Sequence, residues 1–239
     1  MKELLVVGDS LAGGLPYLNF ATLLQRGLRD WRVTADAVGG DTLAGVDARL
    51  ERLLGAGRPD ALVIEAGTND ILLPFLEARG GLWRSLVERI EARGSIAATG
   101  LEDFRDLFSH TIGMAVEMAG RVVATTIACI GEEPESDPNR RGSQYSAVIR
   151  EVAAERQVAV ADVGRAFREA LAEAGVRSGY LLDRLSGMLL DTAHMLTARG
   201  ADRLSGRRGL VLTVDGVHLN RYGARLYART VAAALGETI

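Results

Sequence analysis

The sequence predicts an α/β fold of three layers, in which a doubly wound, mostly parallel five-stranded sheet lies between two layers of helices. Short apolar runs alternate with segments of helical periodicity along the chain, the pattern of a parallel sheet with helices on both faces. The 239 residues suffice for one domain with a complete core. The composition, 48% apolar and 25% charged, is that of a globular protein.

Five strands are predicted from short apolar runs bounded by turn residues. They are expected at 4–7, 32–38, 61–66, 121–128 and 158–163. The expected strand order is 2-1-3-4-5, a doubly wound arrangement that places ligands at the carboxyl ends of the strands.

Three helices follow from spacing and capping residues. The first is predicted at 17–30, where Phe20, Leu23, Leu24 and Leu28 share one face. The second is predicted at 42–54. The last is predicted at about 220–235, with Asn220 as its N-cap.

Two stretches exceed what this alternation needs. Residues 71–119 contain two helical patterns where one would connect the strands, and 175–209 contain an amphipathic pattern formed by Leu181, Leu185, Met188, Leu189 and Leu196. They are either extra packing layers or a cap over the functional site. Because no repeat, low-complexity tract or linker divides the chain, residues 1–239 are predicted to form a single domain.

Charge and composition exclude several classes of function. The 28 basic and 31 acidic residues give a formal charge of −3 without a basic stripe, so neither nucleic-acid binding nor a polybasic membrane anchor is expected. No segment approaches the ~20 apolar residues of a membrane span. The first apolar run, 4–7, is too short for a secretory signal. A cytoplasmic protein is expected, or a secreted one if a signal was removed before residue 1.

Ser10 is the candidate nucleophile. It directly follows the first strand in Gly8-Asp9-Ser10-Leu11, where a small residue before a strand-to-helix turn exposes the hydroxyl at the carboxyl end of the sheet. The alternative is an ordinary turn or N-cap serine, since Gly-Asp-Ser alone is a weak signal.

Asp215 and His218 are the candidate partners of that nucleophile. They lie in Asp215-Gly216-Val217-His218, just before the last helix. A tight turn can bring the aspartate beside the histidine, with Gly216 supplying the unusual backbone conformation, and a base of this type needs a carboxylate on its second ring nitrogen. For an isolated Asp-x-x-His, a turn residue and an ordinary histidine remain the commoner alternative.

Asn69 and Gly40 are candidate donors to an oxyanion. Asn69 follows the third strand in Gly67-Thr68-Asn69-Asp70, and Gly40 follows the second in Gly39-Gly40-Asp41-Thr42. Such residues usually serve turns. Their placement favours a site, because the loops after strands one, two and three share one rim of a 2-1-3-4-5 sheet.

The four segments GDSL (8–11), GGDT (39–42), GTND (67–70) and DGVH (215–218) together resemble, in order, the signature blocks of the SGNH or GDSL hydrolases. Residues 121–163 also resemble the strand, loop, helix and strand that this family carries between its third and fourth blocks. The similarity covers about two-thirds of the chain and leaves out 78–100 and 175–209. Thr68 and Gly39 depart from the usual glycine and serine, at positions that supply no catalytic group.

The resemblance implies a serine esterase with Ser10 as nucleophile, His218 as base and Asp215 as its orienting residue. It also implies an oxyanion hole formed by the Ser10 N–H, the Gly40 N–H and the Asn69 amide. The implied partner is a small-molecule ester, and the resemblance admits short-chain esters, thioesters, lysophospholipids and acetylated sugars. The scarcity of aromatic residues, 5% of the chain, disfavours a long sugar-stacking groove, and a short acyl chain is expected. The same residues would serve an acyltransferase, and a binding module without activity is the remaining alternative. Neither metal nor organic cofactor is implied.

Other reactive residues are expected to be structural. His110 and His194 lack a partner at metal-ligand spacing, and Cys129, the one cysteine, has no disulfide partner. Asp9 and Asp70 are expected to hold loops by accepting backbone N–H bonds. Arg140 and Arg141 are expected in a solvated loop at 131–142.

Overall fold

The computed structural model describes residues 1–13, 18–53, 57–175, 178–183, 191 and 195–239. It contains a five-stranded parallel sheet with the order β2-β1-β3-β4-β5. The strands are β1 (Lys2–Gly8), β2 (Trp31–Ala37), β3 (Ala61–Ile64), β4 (Val122–Thr125) and β5 (Ala159–Ala161). The predicted fold class and strand order are therefore confirmed.

Helices cover both faces of this sheet. Those of the first half of the chain are α1 (Phe20–Gly27), α2 (Leu43–Leu53), α3 (Thr68–Glu77), α4 (Gly81–Glu91) and α5 (Leu101–Met118). Those of the second half are α6 (Asp137–Glu155), α7 (Val163–Ala174), α8 (Ala198–Arg208) and α9 (Arg221–Ala234). One core contains buried residues of α1, α7, α8 and α9, and the other contains those of α2 to α6.

Alternation along the strands explains the two cores, because successive side chains point to opposite faces of a sheet. Val6 and Val63 are neighbours in register and belong to the core with α1 and α9, whereas Val7 and Ile64 belong to the core with α2 and α3. Gly8 is paired with Ala37 at the ends of β1 and β2. The loops that follow β1, β2 and β3 consequently leave the sheet at the same edge.

The last two strands are shorter than predicted. The runs 121–128 and 158–163 contain strands of four and three residues. The sheet pairing ends there because Asp162 caps α7, and its side chain accepts the Arg165 N–H. The Thr126 N–H still donates to the Ala161 carbonyl at 3.1 Å, while the Thr126 hydroxyl accepts the Gly164 N–H at the start of α7, at 2.9 Å. An apolar run in the sequence does not show where the strand ends and the cap of the next helix begins.

The helical predictions need three further corrections. Residues 71–119 contain α3, α4 and α5 instead of two helices, because Gly80 takes a left-handed conformation with φ 69° and separates α3 from α4. The helix predicted at 17–30 begins at Phe20 with Asn19 as N-cap, and residue 17 lies outside the described part. Residues 137–142, expected in a loop, belong to α6, so Arg140 and Arg141 are helical.

The amphipathic helix predicted within 175–209 is only partly testable. Leu181 lies outside any helix and Leu196 lies in a turn before α8, while Leu185, Met188 and Leu189 lie outside the described residues. At the other end of the chain, Asn220 caps α9 as predicted, with its side chain accepting the Gly223 N–H. No helix in the described part of the chain is long and apolar enough to cross a membrane.

Candidate active site

Ser10 lies in a tight turn immediately after β1. The Asp9 carbonyl accepts the N–H groups of Ala12 and Gly13, at 3.2 and 3.3 Å, and the Asp9 carboxylate accepts the Leu11 N–H at 2.8 Å. Asp9 thus holds the turn as predicted for a loop-stabilising aspartate. Ser10 at its tip lines a cavity at the carboxyl edge of the sheet.

Asp215 and His218 are brought together by a turn of four residues. One Asp215 oxygen accepts the N–H groups of Val217 and His218, at 3.0 and 2.8 Å, and the other lies 2.7 Å from His218 Nδ1. Gly216 has φ 91°, and a Cβ at this position would lie 2.7 Å from the Tyr180 carbonyl oxygen. The turn therefore needs glycine for its conformation and for the close approach of the neighbouring chain.

The electrostatics of this pair favour a base held ready for protonation. Burial of Asp215 opposes its ionisation, but the charge and hydrogen bonds of His218 outweigh burial and lower the pKa of that carboxyl. Burial likewise opposes the charge on the imidazole, but Asp215 outweighs it and raises the pKa of His218 above the usual value. With Nδ1–H directed at Asp215, the second ring nitrogen is left as the acceptor.

Two backbone donors at the same edge have no acceptor among the described residues, namely the N–H groups of Ser10 and Gly40. Gly40 has φ 79°, and a Cβ there would lie 3.0 Å from Ile90 Cδ1. The Asn69 amide is placed differently. Its Nδ2 donates to Asp9 Oδ2 and to the Asp41 carbonyl, both at 2.8 Å.

All of these residues line one cavity of about 280 Å³. Ser10, Gly40, Asn69, Asp215 and His218 form its polar part. Within the described part of the chain the Ser10 hydroxyl has no hydrogen-bond partner, and the His218 ring bonds only to Asp215. In enzymes without bound substrate, hydrogen bonds between such side chains are often long and tighten only in the substrate complex.

Sequence reasoning missed a buried arginine that joins two of the loops. Arg49 donates from Nη2 to the Gly8 carbonyl at 2.7 Å and from Nε to Asp41 at 2.9 Å. It thereby ties the residues before Ser10 to the residue after Gly40. The signal was present in α2, since Arg49 falls among the buried positions Leu43, Val46 and Leu50.

A second missed residue is Glu65, at the end of β3. Its carboxylate accepts the Asp9 N–H at 2.8 Å. A Cβ built on Gly8 would lie only 2.6 Å from Glu65 Oε2, so the close approach needs glycine at position 8. Burial and the neighbouring Asp9 raise the pKa of Glu65 well above its usual range. Burial also raises the pKa of Asp9 to about 6. A single carboxyl ending the apolar run of β3 was the available signal.

Two further carboxylates hold the loops around the cavity. Asp70 accepts the N–H groups of Leu43 and Ala98, at 2.9 and 3.0 Å, as predicted for a loop-holding residue. Glu132 is fully buried and accepts the N–H groups of Leu212 and Thr213, at 2.8 and 2.7 Å. It thus anchors the segment that leads into Asp215. Glu132 lies in a polar stretch that the sequence marks only as loop.

Neither His110 nor Cys129 lines this cavity. His110 is exposed on α5 and bonds to Asp47 at 3.1 Å. Cys129 is buried, which raises the pKa of its thiol. His194 lies outside the described residues. Within the described ranges, no group of three or more His, Cys, Asp and Glu residues is arranged to hold a metal ion.

Comparisons with known proteins give one family. The model of the GDSL-like Lipase/Acylhydrolase family matches residues 6–226. Esterase TesA of Pseudomonas aeruginosa is 43% identical over 76 residues, which are 29% of this chain and 38% of that esterase. The match therefore spans less than two-fifths of its length.

Solved structures with the same fold cover almost the whole chain. The acetyl xylan esterase AlAXEase matches 98% of this chain and 99% of its own, with a TM-score of 0.69 and 19% identity. The acetylxylan esterase Axe2 of Geobacillus stearothermophilus matches 98% of this chain and 94% of its own, with a TM-score of 0.63 and 19% identity. At these identities the similarity is one of fold.

Proposed function

The chain belongs to the GDSL-like lipase/acylhydrolase family, and we propose that it is a serine esterase that cleaves small acyl esters. In this proposal Ser10 is the nucleophile, His218 the base and Asp215 the carboxylate that orients the base. The main support is geometric, because these three residues line one cavity and His218 Nδ1 lies 2.7 Å from Asp215. The family assignment and the fold shared with acetyl xylan esterases agree with it.

The first step is attack of Ser10 on the ester carbonyl. The serine oxygen forms a bond to the carbonyl carbon, and its proton passes to the free ring nitrogen of His218. Asp215 stabilises the imidazolium that results, which is consistent with the raised pKa of His218. The electron pair of the carbonyl double bond moves to oxygen and forms a tetrahedral oxyanion.

The oxyanion is stabilised by donors at the cavity edge. The N–H groups of Ser10 and Gly40 have no acceptor in the described part of the chain, so they are available without rearrangement, as electrostatic preorganisation requires. Both hydrogens of the Asn69 amide already have acceptors. Asn69 therefore contributes when one of its N–H groups donates to the oxyanion, either in addition to Asp9 or Asp41 or in place of one of them.

The oxyanion then collapses, and the bond to the alcohol oxygen breaks. The alcohol leaves with the proton from His218, and the acyl group remains on Ser10. His218 next takes a proton from water, whose oxygen attacks the acyl carbon. Collapse of this second intermediate releases the carboxylic acid and returns the proton to Ser10. No metal or organic cofactor takes part in the proposed cycle.

Labelling with a fluorophosphonate probe tests this assignment. We expect a covalent adduct on the peptide that contains Ser10, identified by mass spectrometry, and its loss in Ser10→Ala. His218→Ala should label much more slowly, because an activated serine needs the base. Ser143→Ala, a change at an exposed serine on α6, is the control and should label like the parent. A folded parent protein that does not label would contradict the esterase proposal and favour a binding module without activity.

A further inference from the structure

The cavity beside Ser10 has an apolar extension that the proposed chemistry leaves unexplained. Its wall is formed by α3 and α4, and we call this extension the acyl corridor. The residues that define it are Leu72, Leu73, Leu76, Trp83, Leu86 and Ile90. The volume of the whole cavity is about 280 Å³, many times the roughly 10–15 Å³ that a cavity needs to hold one water molecule. A single acetyl group would fill little of it.

The corridor runs along α3, away from the catalytic residues. Asn69 lies in the first turn of this helix, and Leu72, Leu73 and Leu76 follow on the side that faces the cavity. Because α3 rises 1.5 Å per residue, Leu76 lies about 10 Å from Asn69 along the helix axis. The corridor therefore has a catalytic end at Asn69 and a far end at Leu76.

Helix α4 returns along the same corridor in the opposite direction. It begins soon after α3 ends, so Trp83 lies in its first turn near the far end. Ile90, near the end of α4, reaches the catalytic end, where its Cδ1 lies 3.0 Å from a Cβ built on Gly40. Helix α4 therefore supplies apolar side chains at both ends of the corridor.

Arg79 holds a further wall in place. Its guanidinium donates to the carbonyls of Leu182 and Leu181, at 2.7 and 3.0 Å, and lies 4.8 and 5.8 Å from the ring centres of Phe75 and Trp83. The Leu182 N–H donates to the Asp215 carbonyl at 2.9 Å. Leu182, which lines the cavity, is thus tied both to the catalytic turn and to the far end of α3.

We propose that the acyl chain of the substrate extends from Ser10 into this corridor, and that the enzyme prefers unbranched acyl chains of about six to ten carbons. An extended chain advances about 1.2 Å per bond, so a length of about 10 Å takes roughly eight carbons. A sugar in the corridor would leave hydroxyls unpaired against leucine side chains, which is unfavourable. This inference rests on the proposed esterase function, and it replaces the short acyl chain expected from the sequence.

The test is a series of p-nitrophenyl esters from acetate to palmitate, which vary the acyl chain at a constant leaving group. We expect kcat/KM to rise about fourfold per added methylene, because the free energy gained by burying one methylene group corresponds to about that factor in binding. The rise should stop near octanoate and reverse for longer chains. Trp83→Ala should move the optimum towards longer chains by opening the far end. Leu76→Phe should lower the ratio of octanoate to acetate turnover by filling the corridor.

Leu82→Ala serves as the matched control. Leu82 precedes Trp83 in α4 but is 69% exposed, so its removal should leave the chain-length profile unchanged. Thermal unfolding of each variant establishes that it is folded. Acetate as the best substrate, or an optimum that neither Trp83→Ala nor Leu76→Phe moves, would overturn the corridor and leave the esterase proposal intact. A parent protein that hydrolyses no ester and does not react with fluorophosphonate would overturn both.

Discussion

Some polar groups of the proposed site already have hydrogen-bond partners, and others have none among the described residues. Asp215 uses one oxygen for two backbone N–H groups and the other for the His218 ring. Ser10 and Gly40 present N–H groups that have no acceptor within the described ranges. Asn69 is the exception, since its amide is held by Asp9 and Asp41. Whether that amide contributes to catalysis is therefore the decisive question about a single residue.

Asn69→Ala should lower kcat by about 10²–10³, equivalent to about 2.7–4 kcal/mol, the usual effect of losing one oxyanion donor. KM for the same ester should change little, because the oxyanion exists only after attack. Steady-state kinetics measure both constants. Asn19→Ala is the control, as Asn19 is also buried but caps α1. Asn69→Ala with the turnover of the parent would show that the two backbone N–H groups suffice.

The raised pKa of His218 predicts where activity is lost in acid. Only the neutral ring can take the Ser10 proton, so kcat/KM should fall as pH decreases through a pKa above the ordinary value of about 6.5. Asp215→Asn removes the carboxylate that raises this pKa. It should shift the acid limb to lower pH and lower kcat by about 10⁴. The measurement is kcat/KM between about pH 5 and 9. An unshifted limb in Asp215→Asn would mean that another group controls it.

At the scale of elements, loops that follow different strands are held to one another by buried charges. Arg49 of α2 bonds to Gly8 and Asp41, in the loops after β1 and β2. Glu132, in the loop after β4, accepts backbone N–H groups of Leu212 and Thr213 shortly before Asp215. The position of the turn that holds Asp215 and His218 consequently depends on a contact across about 80 residues of sequence.

Glu132→Ala should destabilise the protein by at least about 3 kcal/mol, because several buried N–H groups lose their acceptor at about 1–3 kcal/mol each. It should also lower kcat, since the segment leading to Asp215 loses its anchor. Urea unfolding and ester kinetics measure the two effects. Glu133→Ala changes the adjacent, exposed carboxylate and should alter stability by no more than about 0.5 kcal/mol. Equal effects of the two variants would refute the anchoring role.

For the whole molecule, the parallel sheet places the carboxyl ends of β1, β2 and β3 at one edge. The same edge buries several acidic side chains, including Asp9, Glu65 and Asp70. Burial raises the pKa of Asp9 and of Asp70 to about 6 and that of Glu65 well above its usual range. The folded state therefore retains protons that the unfolded chain releases, and this part of the structure favours mildly acidic pH.

Glu65→Gln tests this effect on stability. A carboxyl whose pKa is raised on folding stabilises the native state fully below its unfolded pKa, and that contribution is lost as pH rises through the folded pKa. The free energy of unfolding of the parent should therefore decline from about pH 5 to 8. In Glu65→Gln the decline should be shallower, because the amide is neutral and can still accept the Asp9 N–H. The free energy of unfolding is measured with urea at each pH. If it declines equally with pH in the two proteins, Glu65 is not a source of the decline.

The sequence by itself determined the fold class, the strand order and the residues of the proposed site. The strands, caps and turns behind these predictions are local in the chain, whereas the strand order follows from the alternation of strands and helices along the whole of it. Apolar runs predict strands, and Asp215 and His218 meet through a turn of four residues that Gly216 permits. Asn220 likewise caps α9 through a contact three residues away. Patterns of this range are set by backbone conformation and side-chain periodicity, which can be read without knowing what lies across the sheet.

Only the tertiary structure decided which charges are buried and which walls enclose the cavity. The sequence indicates at most that Arg49 and Glu65 are buried, because the partners of Arg49, Glu65 and Glu132 lie 41, 56 and 80 residues away. The acyl corridor likewise depends on α3 and α4 packing side by side, and on Arg79 reaching Leu182 from 103 residues away. Burial and electrostatic pairing depend on neighbours in space. Hydrophobic periodicity identifies which face of an element is covered, but not which element covers it.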